Sequence, residues 1–148
     1  MTGTREEQSV SELGTVTALL REDTPIMFLD VDFDVEAIQA GWPEFESRFT
    51  SLRGRRMMAV VLPEQKIYRL ATPMRHEDDP DALGLRMGVL VGGPYLQMSL
   101  RGDVRSVHRD IAPAFEELRR LGEHDPQRPC VEVYRSPCEV DCLLPVIG

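Results

Sequence analysis

Residues 24–34 read TPIMFLDVDFD, and residues 93–103 read GPYLQMSLRGD. Each is a short strand-like run that closes on an aspartate, Asp34 or Asp103, placed to accept hydrogen bonds from the free amides of a helix's first turn. The two stretches lie 69 positions apart. Beyond them the helical segments align at an offset of 70, Trp42-Pro43-Glu44-Phe45-Glu46 against Ala112-Pro113-Ala114-Phe115-Glu116. A pair of strand-like runs follows each helix. The first pair is Arg56 to Leu62 and Ile67 to Thr72, turning at Pro63-Glu64-Gln65-Lys66; the second is Cys130 to Arg135 and Glu139 to Val146, turning at Ser136-Pro137-Cys138. The order strand, helix, strand, strand therefore occurs twice, and that order, more than identity between the halves, is the evidence for a repeat.

Working outward, Ile38, Trp42, Phe45, Phe49 and Leu52 recur at helical spacing in the first half, and Val104, Val107, Ile111, Phe115 and Leu118 in the second. Each set forms one apolar stripe. Pro43 requires either a kink or a helix whose regular part begins there, because an interior proline removes a hydrogen bond; Gly122 is a stop for the second helix. Residues 1–14 are expected as a mobile tail and 15–148 as a single domain, with repeat one at about 16–74, a polar linker at 75–84 and repeat two at about 85–147. The fold class expected is α+β: a tandem pseudo-twofold repeat of two β-α-β-β units, an antiparallel sheet with two helices on one face and a ligand cleft on the other.

Composition narrows the function. A chain of 148 residues with 42% apolar and 28% charged residues can build a core unaided. Its 25 acidic against 17 basic residues give a net charge of −8, the wrong sign for a direct nucleic-acid binder. No run of 18 apolar residues is present and no secretory leader is visible, so neither a membrane partner nor export is expected, and the localisation expected is cytoplasmic. The three cysteines, Cys130, Cys138 and Cys142, fit no zinc spacing and read as reduced thiols; no metal or cofactor is expected.

Among candidate site residues Glu132 is foremost, because it sits inside the apolar run Cys130 to Tyr134, where a carboxylate is unfavourable unless partnered. Strand alternation puts Cys130, Glu132 and Tyr134 on one face and Val131 and Val133 on the other. With the valines against the helices, the Glu132–Tyr134 face looks into the cleft; a solvated edge position or an ion pair with Arg56 is the other reading. The position matching Glu132 in the first repeat, at an offset of 74, is Met58. Trp42 is core or tips its indole over the cleft, and Tyr68 and Tyr95 are packing or stacking surfaces. Met57, Met58, Met87 and Met98 are adaptable lining or filler. Arg101-Gly102-Asp103 reads as a helix cap, the His76-Glu77-Asp78-Asp79 run as a solvated loop, and Gly92-Gly93 as a turn. His76, His108 and His124 lie in loops or on a helix flank and give a nucleophile system no support.

The run Ala82 to Leu85 through Gly92-Gly93-Pro94-Tyr95, the strand closed by Arg101-Gly102, the segment Arg128-Pro129-Cys130-Val131-Glu132-Val133-Tyr134 and the closing Leu144-Pro145-Val146 resemble gyrase-inhibitor-like (GyrI-like) domains. Such domains also form the effector-binding part of AraC-type and MerR-type regulators. The resemblance covers about residues 16 to 147 and implies a cleft for bulky aromatic, often cationic, compounds, with an acidic residue at its base falling on Glu132. The loop after Tyr134 is shorter than the family's, and Leu143 stands where an aromatic is usual. The function expected on this basis is a free-standing small-molecule-binding protein of multidrug-binding or antibiotic-resistance type, with Glu132, Trp42, Met58, Tyr95, Tyr68 and Tyr134 binding the ligand. The alternatives are a hydrolase that opens strained cyclopropane rings, with Glu132 and Tyr134 catalytic, and an inhibitor of a protein such as gyrase; a protein partner or a homodimer is left open.

Overall fold

The structure, a computed structural model, describes residues 3–10 by their backbone and residues 13–148 in full. Its strands are β1 (Gly3–Val10), β2 (Thr15–Arg21), β3 (Thr24–Val31), β4 (Met57–Leu62), β5 (Ile67–Pro73), β6 (Arg86–Leu90), β7 (Gly93–Arg101), β8 (Cys130–Ser136) and β9 (Glu139–Pro145). Its helices are α1 (Val35–Ser47), the four-residue α2 (Pro80–Leu83) and α3 (Val104–Leu121). All strands join one antiparallel sheet in the order β1-β2-β7-β9-β8-β4-β5-β3-β6. The architecture is α+β, and among the described residues no helix is long and apolar enough to cross a membrane.

The caps fall where the sequence places them. Asp34 accepts from the Ala37 amide at 2.8 Å, and Asp103 accepts from Arg105 and Ser106. Gly122 ends α3. Helix α1 begins at Val35, so Pro43 lies in its interior, as Pro113 does in α3. Phe45 is fully buried beneath α1, and Val107, Ala114, Phe115 and Leu118 are buried beneath α3. The linker expected at 75–84 is ordered: Asp78 pairs with Arg55, both side chains under 10% exposed, and Asp79 caps α2. Of the tail expected over residues 1–14, residues 3–10 instead pair with β2 as β1; residues 1, 2, 11 and 12 lie outside the described residues.

Each repeat has one strand more than β-α-β-β. Repeat one opens with β2 and repeat two with β6, and these two strands are exchanged: β2 pairs with β7 of the second half, and β6 with β3 of the first. Two residues connect β2 to β3, and two connect β6 to β7, yet each pair lies six places apart in the sheet. Laid flat, six strand spacings span about 29 Å. A two-residue connection reaches about 10 Å at most. The sheet is therefore strongly curled, and the two connectors cross where the Gly92 amide donates to Asp23 at 2.7 Å. A Cβ on Gly92 would lie 2.2 Å from the Arg21 carbonyl oxygen, so the crossing requires glycine.

Curling closes the face away from the helices on itself. Ile26, Phe28, Met58, Val60, Tyr95, Val131, Val133 and Leu143 fill it, and the hollow left there measures about 10 Å³. Among the described residues no cleft of the expected kind opens on that face: side chains from both ends of the curled sheet occupy its place, and the larger hollows lie on the helix face.

Candidate functional site

Helix α1 packs on β3 and β5, and α3 packs on β7 and β9. The middle strands, β4 and β8, floor the groove between the helices. Three cross-strand rows face that groove: Met57 opposite Tyr134, Ala59 opposite Glu132, and Val61 opposite Cys130. The valines of β8 point to the filled face, so the expected grouping of Cys130, Glu132 and Tyr134 holds, but they share the side of the helices.

Two hollows open along the groove. The first, of about 290 Å³, lies over the Met57–Tyr134 row and is lined by Trp42, Glu46, Met57, His108, Tyr134, Ser136 and Pro137. The second, of about 250 Å³, lies over the Val61–Cys130 row and is lined by Val61, Pro63, Ile111, Ala112, Phe115, Glu116, Arg119, Cys130 and Glu132. The Tyr134 ring meets Trp42 edge-on at 5.4 Å between centroids and stacks on His108 at 6.3 Å. It is held from both helices at once.

The Glu132 carboxylate sits between the hollows. The Tyr134 hydroxyl donates to its Oε1 in a close contact, and the Tyr68 hydroxyl donates to the same oxygen at 3.4 Å. Protein surrounds the carboxyl group on nearly every side, although the residue keeps some surface on the second hollow. Burial raises its pKa above the ordinary carboxylate range, and the two hydroxyl bonds only partly offset that. Burial and the neighbouring carboxylate raise both tyrosines, so each stays a donor. The Cys130 thiol is pushed up to about 11 by burial and stays neutral. Glu132's hydrogen-bond partners are the hydroxyls of Tyr68 and Tyr134; the alternative pairing with Arg56 does not form, and the Arg56 backbone oxygen accepts from the Thr72 hydroxyl.

Of the residues singled out in the sequence, Glu132, Tyr134, Trp42 and Tyr68 come together. Met58 and Tyr95 do not: each is 2% exposed on the filled face, and the Tyr95 hydroxyl bonds the Val91 carbonyl at 3.0 Å. The partner of Glu132 across the pseudo-twofold axis is Ala59, directly opposite it, and not Met58, which points the other way. His108 and Glu46 were not foreseen in the site; their place follows only once the helices are set either side of β4 and β8.

The fold is similar to that of an integron cassette protein from Vibrio cholerae, with a TM-score of 0.64 and 12% identity over 96% of this chain and 100% of that one. It is similar to SAV2435, solved bound to tetraphenylphosphonium, with a TM-score of 0.60 and 11% identity over 97% and 95% of the two chains. A hydrolase from Listeria innocua matches with a TM-score of 0.55 and 11% identity over 89% and 91%. Likeness at such identities shows the shared fold. No family model and no curated protein matches the chain.

Proposed function

We propose that this protein is a GyrI-like small-molecule-binding protein that captures lipophilic aromatic cations in the groove between α1 and α3. One observation carries the reading: a carboxylate that lines the second hollow is held by two tyrosine hydroxyls, and one of them, Tyr134, also walls the first hollow with Trp42 and His108. Such a group is unfavourable in the empty protein and is stabilised by an incoming positive charge. Trp42, Tyr134 and His108 offer ring faces and edges to a planar or cationic guest. The relative bound to tetraphenylphosphonium, four phenyl groups about a cationic phosphorus, supports the same chemistry for this fold. Capture of this kind suits a multidrug-binding or resistance role.

The test is a titration with tetraphenylphosphonium followed by the emission of Trp42, the single tryptophan. Saturable binding is expected, weakened roughly ten- to a hundredfold by Glu132→Gln, the scale of a lost charge-assisted contact. Equal affinity in that variant would remove Glu132 from the site.

A second reading, hydrolysis of a strained ring, is favoured by the close Tyr134–Glu132 contact at a carboxyl whose pKa is raised by burial, the direction that suits a general acid. The Listeria relative's description as a hydrolase fits it. Multiple turnovers of ring-opened product from a cyclopropane-bearing alkylator, seen by mass spectrometry and lost in Glu132→Gln, would establish it; at most one equivalent would dismiss it.

A further inference from the structure

We propose that the ligand has two unlike arms: an aromatic cation whose ring occupies the first hollow, with an alkyl chain that crosses the molecular pseudo-axis and lies in the second. The inference rests on the reading of Glu132 as the partner of a cation and adds the shape and chemistry of the guest.

The two hollows are symmetry mates. The β4–β8 ladder has Ala59 opposite Glu132 at its centre, with the Met57–Tyr134 row two residues to one side and the Val61–Cys130 row two residues to the other. Rows two residues apart along a strand are separated by about 7 Å, so the hollows are centred about 14 Å apart with the carboxylate midway. The helices obey the same relation: Trp42 and Glu46 on α1 line the first hollow, and their repeat partners Ala112 and Glu116 on α3 line the second.

Glu46 and Glu116 match, but three other equivalent places are filled unequally and in the same sense. Trp42 in the first hollow answers to Ala112 in the second, Tyr134 to Val61, and Met57 to Cys130. The first hollow thus has rings and a thioether where the second has a methyl, an isopropyl and a thiol. Ile111 and Phe115 add apolar surface to the second, whose lining also includes Glu116 and Arg119. A guest symmetric about its charge would leave one hollow poorly matched; a flat ring on one side and a flexible chain on the other match both. Both hollows lie over the β4–β8 ladder on the helix side, the first lined from α1 and α3 and the second from α3, with Glu132 in the lining of the second, so a guest that spans both meets that residue.

The test compares N-methylquinolinium with N-octylquinolinium, titrated calorimetrically into the full chain. The octyl compound is expected to bind roughly tenfold tighter or better, from burial of its chain. Ala112→Trp, which places in the second hollow the ring its mate carries in the first, is expected to abolish that gain, so that the octyl and methyl compounds bind it within about twofold of each other. Ala112 is exposed, so folding is not at stake, and Ala112→Leu provides a smaller plug that removes part of the gain. A chain that adds nothing in the wild type, or a gain that survives both substitutions, overturns the inference while leaving Glu132-dependent capture of the methyl compound intact. If the methyl compound does not bind, or binds equally to Glu132→Gln, the parent reading fails and takes the inference with it.

Discussion

At the scale of single residues the site is a contest over one proton. Folded Glu132 holds its proton to higher pH than an unfolded glutamate, because burial disfavours the charge. Between the two pKa values the folded state binds more protons than the unfolded one, so stability falls as pH rises through that interval. Glu132→Gln has no such proton, and its melting temperature is expected to vary less with pH and to exceed wild type on the alkaline side; a parallel pair of curves would contradict this. Cation binding runs the other way. It needs the ionised carboxylate, so affinity strengthens as pH rises, and capture below the folded pKa expels a proton. Calorimetry in buffers of different ionisation enthalpy measures that release directly. The Tyr134 hydroxyl lowers the pKa of Glu132, so Tyr134→Phe is expected to move the rise in affinity to higher pH. An unmoved profile would mean that the hydroxyl does not tune the carboxylate. Alternation along β8 made the grouping of Cys130, Glu132 and Tyr134 legible in the sequence. It could not say which face the helices cover, since valines and a Glu–Tyr pair are both compatible with packing against a helix when the acid is held by hydroxyls.

At the scale of elements, caps, stripes and hairpin turns were readable because each depends on a few adjacent residues: Asp34, Asp103, Gly122 and the turn before Lys66 all act where the sequence places them. The opening strands β2 and β6 were not read as members of the repeat, because their pairing partners lie in the opposite half and no local pattern records that. Helix α1 illustrates how an element positions the site. Its Gly41 lies against the sheet so closely that an added Cβ would sit 2.8 Å from Val31 Cγ1 and 2.9 Å from Leu70 Cδ1. That approach seats neighbouring Trp42 at the groove wall. Alanine would add about 1 kcal/mol of helix propensity. Overpacking against the fully buried Leu70 opposes it with about 2 kcal/mol. Gly41→Ala is therefore expected to lower unfolding free energy by about 1 kcal/mol in urea titration. It should also weaken aromatic-cation binding as α1 lifts; a more stable variant would show that the contact has slack.

At the scale of the whole molecule, the exchange of β2 and β6 makes the halves mutually dependent. The repeat in the sequence suggests two units that meet at a seam, and the central pairing of β4 with β8 is such a seam. Strand exchange goes further, since each half supplies an outer strand to the other's part of the sheet and the curled face is filled from both. A fragment of residues 15–74 would keep β3, α1, β4 and β5 but leave β3 without β6, and its own β2 would have no strand to pair with. A fragment of residues 85–148 would be deprived in the corresponding way. Both would expose Ile26 and Phe28, or Tyr95 and Leu143, which are nearly inaccessible in the whole chain. Neither fragment is expected to fold alone by circular dichroism, whereas an equimolar mixture is expected to recover the far-ultraviolet spectrum and a single cooperative melt. The intact chain should likewise unfold in one transition by far-ultraviolet dichroism and by emission of Trp42, which sits on the first half and packs against Tyr134 of the second. A fragment that melted cooperatively by itself would mean that the seam, and not the exchange, organises the fold. The groove would then be an interface between two independent bodies, free to open without unfolding either.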